Sequence, residues 1–114
     1  MAFTPYHNIT GSTGVTIELI KPGSGAGSIK SIMITNTHAT ADSTVTLFLQ
    51  NHPSGAAFST INIIKKIIIP AGASLLLDDP KLLSFDNGGE NGYGLYLTIG
   101  AVDGTNLLDI IISL

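Results

Sequence analysis

Short runs that alternate apolar and polar residues recur along this chain, and each run stops at Gly, Asn, Asp or Pro. The clearest runs are VTIELI (15–20), STVTLFLQ (43–50), YGLYLTIG (93–100) and LLDIIISL (107–114). Alternation with a period of two is typical of a strand that buries one face. So many short strands predict an all-β chain, folded as an immunoglobulin-like or jelly-roll β-sandwich of about seven or eight strands.

The chain length allows a single domain, residues 1–114, built around one core. Strands are expected at 15–20, 28–35, 44–50, 58–70, 73–79, 93–99 and 107–114. Gly, Pro, Asn and Asp mark the connections between them. Within these connections, DPK (79–81) predicts a turn with one turn of helix, and Asp103-Gly104 predicts a hairpin turn.

The alternation also assigns each strand an inward face, and the residues on these faces form the predicted core. They include Ile17, Leu19, Ile32, Ile34, Val45, Leu47, Leu49, Leu95, Leu97, Ile110 and Ile112.

Residues 1–14 precede the first clear strand and are expected to form an extended amino-terminal arm. Phe3, Tyr6 and Ile9 make the arm apolar enough to anchor on a partner, whereas a free arm is usually polar and charged. The alternative is that the arm packs along its own sandwich as an edge strand. We therefore assign these three residues to a partner-binding surface as a hypothesis.

The outside of the molecule is expected to be unusually apolar. Charged residues make up 11% of the chain, far below the roughly 25% usual in soluble domains. The strand at 61–69 is apolar on both faces and is broken only by Lys65 and Lys66, a pattern typical of gatekeepers against edge-to-edge pairing. Both lysines join the predicted partner-binding surface. The chain is expected to form a homo-oligomer, a trimer or small cluster, and the alternative is a stable monomer coated in Thr, Ser and Asn.

Several functional classes are disfavoured by composition. The basic residues are five lysines and no arginine, and the net charge is −3, so nucleic-acid binding is not expected. The chain has no cysteine for disulfides or thiolate chemistry. The first residues, MAFTPYHNITG, lack the pattern of a signal peptide, and no apolar run is long enough for a membrane span. We expect a soluble protein made in a cytoplasm.

No catalytic set is recognisable. His7, His38 and His52 fall in different segments without metal-ligand spacing, and solvated positions are the favoured interpretation. The serines lack a G-x-S-x-G elbow. GSGAG (23–27) has spaced glycines but no following helix, so it is interpreted as a loop rather than a phosphate cradle. The protein is therefore expected not to be an enzyme and to carry no cofactor or metal.

Two groups of residues could form ligand sites, but simpler interpretations are favoured for both. Asp78, Asp79, Asp86 and Glu90 could hold calcium, but D-N-G-G-E lacks the spacing of an EF-hand loop and its residues form turns readily. The outward aromatics Phe48 and Tyr96 could form a platform for a sugar, but ordinary cross-strand packing is favoured.

Three segments together resemble small virion proteins of tailed bacteriophages, especially those of marine and cyanobacterial phages. They are SIKSIMITNTHATADSTVTLFLQ (28–50, closing on Gln50), IIIPAGASLLLDDPKLLSFDN (67–87) and YGLYLTIGAVDGTNLLDIIISL (93–114). The shared features are a strand ending in I-x-N-T, a turn of the type (I/V)-P-A-G-x-x-L-x-L, a Y-x-L-x-(I/L) strand and a closing apolar strand. The match covers roughly residues 28–114.

The resemblance implies a β-sandwich on the outside of a capsid or tail, and it carries over no enzymatic residues. The expected function is a non-enzymatic virion structural protein, a capsid decoration or cement protein bound to the outer capsid surface. Its expected partners are the major capsid protein or other virion proteins, and its expected location is the virion. The alternative is a tail or fibre-tip module that binds a host receptor or glycan.

Overall fold

The computed structural model describes residues 6–12, 16–23, 28–53, 55, 57–88, 92–101 and 105–113. These residues form eight strands and one short helix. The strands are β1 (Tyr6–Ser12), β2 (Thr16–Ile20), β3 (Ser31–Asn36), β4 (Ser43–Asn51), β5 (Thr60–Ile69), β6 (Ser74–Leu77), β7 (Tyr93–Ala101) and β8 (Thr105–Ser113), and the helix is α1 (Pro80–Leu83). The all-β prediction is confirmed.

The strands form two antiparallel sheets of four strands each. Sheet A has the order β1-β8-β3-β6, and sheet B has the order β2-β7-β4-β5. The pairs β1–β8, β2–β7, β3–β6 and β4–β5 are nested within one another along the chain. This nesting is the topology of an eight-stranded jelly roll, which decides between the two sandwich types that the sequence left open.

One apolar core lies between the two sheets. Every residue of the predicted inward set is buried except Ile17, which is partly buried and packs against the core. The core also takes in Ile29 before β3 and Leu83 from α1, neither of which belongs to the alternating pattern. Burial of aliphatic side chains on both inner faces is the main stabilising contribution in a fold of this kind.

The amino-terminal arm forms an edge strand over its described part. Tyr6–Ser12 form β1 and pair with β8 from Tyr6↔Ile111 to Ser12↔Thr105. This is the edge-strand alternative, because the backbone of these residues pairs with β8 along its whole described length. Ile9 lies within β1, opposite Leu108. Phe3 lies outside the described residues.

The turns follow the local chemistry of the sequence. Asp79 caps α1, with its Oδ1 accepting a hydrogen bond from the Lys81 N–H at 3.0 Å, so the predicted turn of helix is confirmed. At the PAG turn, Ala73 N–H donates to the Pro70 carbonyl at 3.0 Å, and Gly72 has a φ of 75° that favours glycine. The hairpin predicted at Asp103-Gly104 lies outside the described residues.

Two buried asparagines hold connections against the sandwich. The Asn36 amide donates to the carbonyls of Ala41 at 2.9 Å and Ile69 at 3.0 Å, which ties the end of β3 to the end of β5. The Asn87 amide donates to the carbonyls of Lys21 at 3.1 Å and Tyr93 at 2.8 Å. These side chains satisfy backbone groups that a loop at the end of a sandwich otherwise leaves unpaired.

Candidate functional site

The outer face of sheet A carries an apolar row that crosses all four strands. The register places Tyr6 of β1 opposite Ile111 of β8, Ile111 opposite Met33 of β3, and Met33 opposite Leu76 of β6. Tyr6 is 67% exposed, Leu76 56% and Ile111 37%. We call these four residues the open row. An apolar patch continuous from one sheet edge to the other is typical of an interaction surface.

The rows beside the open row are polar but almost uncharged. Ser31 and Ser113 face each other on one side. On the other side Asp109 lies opposite Thr35, whose hydroxyl is 2.7 Å from that of Ser74. Asp109 is the single charged residue among the described outward side chains of the four sheet A strands. Depletion of charge around an apolar centre is also characteristic of interface cores.

The outer face of sheet B is built differently, because its aromatic rings cover one another. Phe48 and Tyr96 stack with ring centroids 5.6 Å apart. His52 lies 5.4 Å from the Tyr96 ring and stacks on Phe58 at 4.2 Å. We call these four residues the aromatic cluster. As a result Tyr96 is only 5% exposed and Phe48 only 9%, although both lie on the outside of the sandwich.

Polar neighbours complete the cover over the aromatic cluster. The Tyr96 hydroxyl donates to Glu18 Oε2 at 3.0 Å. Burial, and then this hydrogen bond to the carboxylate, raise the pKa of the Tyr96 phenol above its usual value. His52 Nε2 is 2.7 Å from Gln50 Oε1, and the Gln50 amide donates to the Thr60 hydroxyl at 2.8 Å. Phe48 and Tyr96 therefore pack against each other across the strands, the interpretation that the sequence favours over a sugar platform, while the Phe58 ring stays exposed.

The edge strand β5 bears Lys65 and Lys66, which are both exposed. The β4–β5 register shifts between Val45 and Leu47 and again between Leu47 and Phe48. Lys66 has a φ of 55°, rare for a residue other than glycine, and its N–H donates to the Thr46 hydroxyl at 3.0 Å. Register shifts and lysines on an edge both oppose pairing with another strand.

A cleft of about 210 Å³ opens beside the edge strands β5 and β6. Its lining residues are Ile63, Leu76, Leu77, Asp78, Asp79 and Leu83. Leu76 belongs to the open row as well, so the apolar surface of sheet A continues into this cleft.

The remaining candidates have local structural roles. His38 Nδ1 accepts hydrogen bonds from the N–H groups of Thr40 and Ala41, at 3.1 and 3.0 Å, and His7 is a partly buried residue of β1. Asp86 Oδ1 accepts from the Gly88 N–H at 3.0 Å. Within the described part of the chain, His, Cys, Asp and Glu side chains form no group of three or more that could hold a metal ion. Glu90 lies outside that part, as does most of the GSGAG loop.

No helix among the described residues is long and apolar enough to cross a membrane.

The sequence predicts one member of the open row, Tyr6, as a partner-binding residue of the arm. It does not predict the row itself, because Met33, Leu76 and Ile111 occupy outward positions of three strands that are far apart in the chain. The outward position of each could be read from the alternation. Their alignment into one row depends on strand order and register, which local patterns do not supply.

Solved structures share this fold at low sequence identity. PirA matches with a TM-score of 0.57 and 14% identity over 98% of this chain and 96% of that chain. Structures of infectious bursal disease virus, Gx and Gt strains, match with TM-scores of 0.56 and 0.53 at 12% identity, over 95% and 96% of this chain. In these two structures this chain spans only 30% and 31% of the viral chain. No protein-family model and no curated protein matches the sequence.

Proposed function

We propose that this chain is a non-enzymatic virion structural protein of a tailed bacteriophage, and specifically a capsid decoration or cement protein. The observation that carries the proposal is a jelly roll with an apolar, nearly uncharged row exposed across one sheet. Such a row is costly to leave in water and gains stability when another surface covers it. Two solved virus structures with the same fold support this role.

A cement protein needs a stiff module rather than a reactive site. The core between the sheets is made of close-packed aliphatic residues, and Asn36 ties the ends of β3 and β5 together. A stiff module loses little conformational entropy on docking, so more of the contact energy is retained as affinity. Repetition of a modest contact over many copies then makes a shell durable.

The proposed partners are the major capsid protein or other virion proteins, and the chain would act as a small homo-oligomer on the virion. The resemblance over residues 28–114 to small virion proteins of marine and cyanobacterial phages supports this assignment. Two short motifs of that resemblance lie where β3 and β5 are held together. I-x-N-T contains Asn36, whose side-chain amide donates to the Ile69 carbonyl, and P-A-G contains Gly72, whose N–H donates to the Asn36 carbonyl.

The test is to purify the particles that carry this gene product and to count its copies per particle by quantitative mass spectrometry. A decoration protein is present in numbers comparable to the capsid subunits. Particles made without it should lose their genome at a lower temperature, and purified protein added back should bind saturably and restore the original temperature. Absence from the particles would contradict the virion assignment, and only a few copies per particle would instead assign the chain to the tail.

A fibre-tip module that binds a glycan is the second candidate, and Phe58 is the observation that favours it. Its ring is 59% exposed and is held in place by the stack on His52. An exposed, oriented ring is a suitable surface for stacking a sugar. Saturable binding on a glycan array that is lost in Phe58→Ala and kept in Tyr6→Ala would support this candidate, and no binding would exclude it.

A further inference from the structure

We propose that the open row is the contact between two copies of this chain, packed sheet A against sheet A about a two-fold axis. The inference rests on the proposed function in one respect, because a structural protein needs contacts between its copies. The contact itself is a property of the chain in solution.

Three of the four edge strands of the sandwich, β2, β5 and β6, are poorer candidates for self-association than this face. β5 is the longest edge strand, but its two register shifts and its exposed Lys65 and Lys66 oppose strand pairing, and two copies would bring like charges together. β6 has only four residues, and β2 has five with a register shift between Glu18 and Ile20. Short or irregular edges offer few backbone groups for a continuous ladder.

The open row fits itself because it runs from β1 at one edge to β6 at the other. A two-fold axis parallel to the strands places Tyr6 against Leu76 of the second copy, and Ile111 against Met33. An axis parallel to the row places each residue against its own copy. Apolar side chains therefore meet apolar side chains in both arrangements, as in face-to-face sheet packing.

Asp109, the single charged residue among the described outward side chains of the sheet A strands, is compatible with this contact. With the axis parallel to the strands, Asp109 of one copy meets Thr35 of the other. With the axis parallel to the row, Asp109 meets Ser113, which lies two residues beyond Ile111 on the same strand. In neither arrangement does the carboxylate meet its own copy. Like-charge repulsion, the usual obstacle to a self-contact, is therefore avoided.

In flat projection the face has about half of the area that each partner buries in a stable contact. Four strands about 4.8 Å apart and three outward rows about 6.8 Å apart give about 400 Å² in flat projection. The accessible surface is larger than this flat projection, because side chains project from the sheet and the cleft beside Leu76 adds further surface. A stable contact buries about 800 Å² per partner, so the face must be used as a whole rather than along one row.

The test is the solution mass, by sedimentation equilibrium, of the full chain and two matched isoleucine-to-lysine variants. Ile111→Lys places a charge in the open row. Ile68→Lys places the same charge on β5, at a side chain that is 61% exposed. We expect a dimer for the wild type and for Ile68→Lys, and a dissociation constant at least about tenfold higher for Ile111→Lys. Leu76→Lys, at an exposed edge position, should reproduce the loss if Ile111→Lys lowers the melting temperature.

A wild type that is monomeric at every concentration, or a closed trimer, would overturn the inference. A monomeric Ile68→Lys variant together with a dimeric Ile111→Lys variant would also overturn the inference, and it would assign the contact to β5. Particle binding separates this inference from the proposed function. A monomer whose particle binding is lost in Ile111→Lys would mean that the capsid, and not a second copy, covers the row. A dimer that never associates with particles would retain the inference and contradict the proposed function.

Discussion

The two outer faces of this jelly roll differ in how far the chain itself covers their large apolar side chains. On sheet B, Phe48 and Tyr96 are large rings at outward positions, yet the aromatic cluster and Glu18 leave them nearly inaccessible. On sheet A, Tyr6 and Leu76 also point outward, and each is more than half exposed. The two faces thus share a strand count and differ in whether the chain covers the large rings at their outward positions, although the edge strand β5 of sheet B leaves Ile61, Ile67 and Ile68 exposed.

The comparison teaches that an apolar residue on the outside of a sandwich is not by itself an interaction site. The rings of sheet B already have their partners within the chain, through stacking and the Tyr96–Glu18 hydrogen bond. Among the described residues, no side chain covers the open row in the same way. An uncovered apolar surface gains stability when another molecule covers it. The open row is such a surface and crosses all four strands of sheet A, so it is the surface assigned to assembly.

The largest effect is expected beneath the two faces, where the core is common to both. Leu47→Ala and Leu97→Ala should each cost about 2–5 kcal/mol of unfolding free energy, because both side chains are fully buried and truncation leaves a cavity. Leu76→Ala is the matched control on the outer face of sheet A and, in protein diluted below the association concentration, should change stability by less than about 0.5 kcal/mol. Chemical denaturation measures all three. An unchanged midpoint for Leu47→Ala or Leu97→Ala would show that its inward position is wrong.

A pair of tyrosine substitutions compares the faces directly. Tyr96→Ala should cost about 2–4 kcal/mol, because it removes a buried ring from the aromatic cluster. Tyr6→Ala should cost less than about 0.5 kcal/mol in dilute protein, where the open row faces water. Denaturation below the association concentration measures both. Equal losses of unfolding free energy for the two variants would contradict the difference in burial between Tyr96 and Tyr6.

Asn36→Ala tests how firmly the two sheets are joined. The substitution leaves the carbonyls of Ala41 and Ile69 without their amide donor, the first partly buried and the second buried, and we expect a loss of about 1–3 kcal/mol. Asn62→Ala, an exposed asparagine on β5, is the control and should stay within about 0.5 kcal/mol of the wild type. If both variants have the same melting temperature as the wild type, the Asn36 hydrogen bonds contribute nothing to the stability of the sandwich.

The smallest effect is expected from the Tyr96 hydroxyl. Tyr96→Phe keeps the ring and removes the hydrogen bond to Glu18, at a cost of about 1 kcal/mol at neutral pH. Because the pKa of Tyr96 is raised in the folded state, its stabilising contribution is present below the unfolded pKa of about 10 and is lost as the pH rises above it. Unfolding free energies from pH 8 upward should therefore fall more steeply for the wild type than for Tyr96→Phe. Parallel curves would contradict the burial of this phenol.

Sequence patterns were sufficient for the parts of the fold that depend on one strand at a time. The alternation predicted the inward set from Leu19 to Ile112, and the DPK segment predicted the helical turn at α1. β1 was expected as an arm, because YHNITGS has little apolar character and is defined as a strand only by its pairing with β8. The open row and the aromatic cluster likewise join residues that are distant in the chain. They follow from strand order, which no local signal encodes.

Hydroxyl-radical footprinting of the side chains, in dilute protein and in the assembled state, tests the central contrast most directly. In dilute protein, Tyr6 and Met33 should be oxidised readily and Tyr96 and Phe48 slowly. On assembly, Tyr6 and Met33 should become protected while Phe58 keeps its reactivity. Protection at Phe58 with Tyr6 and Met33 unchanged would contradict the account, because it would place the contact on sheet B.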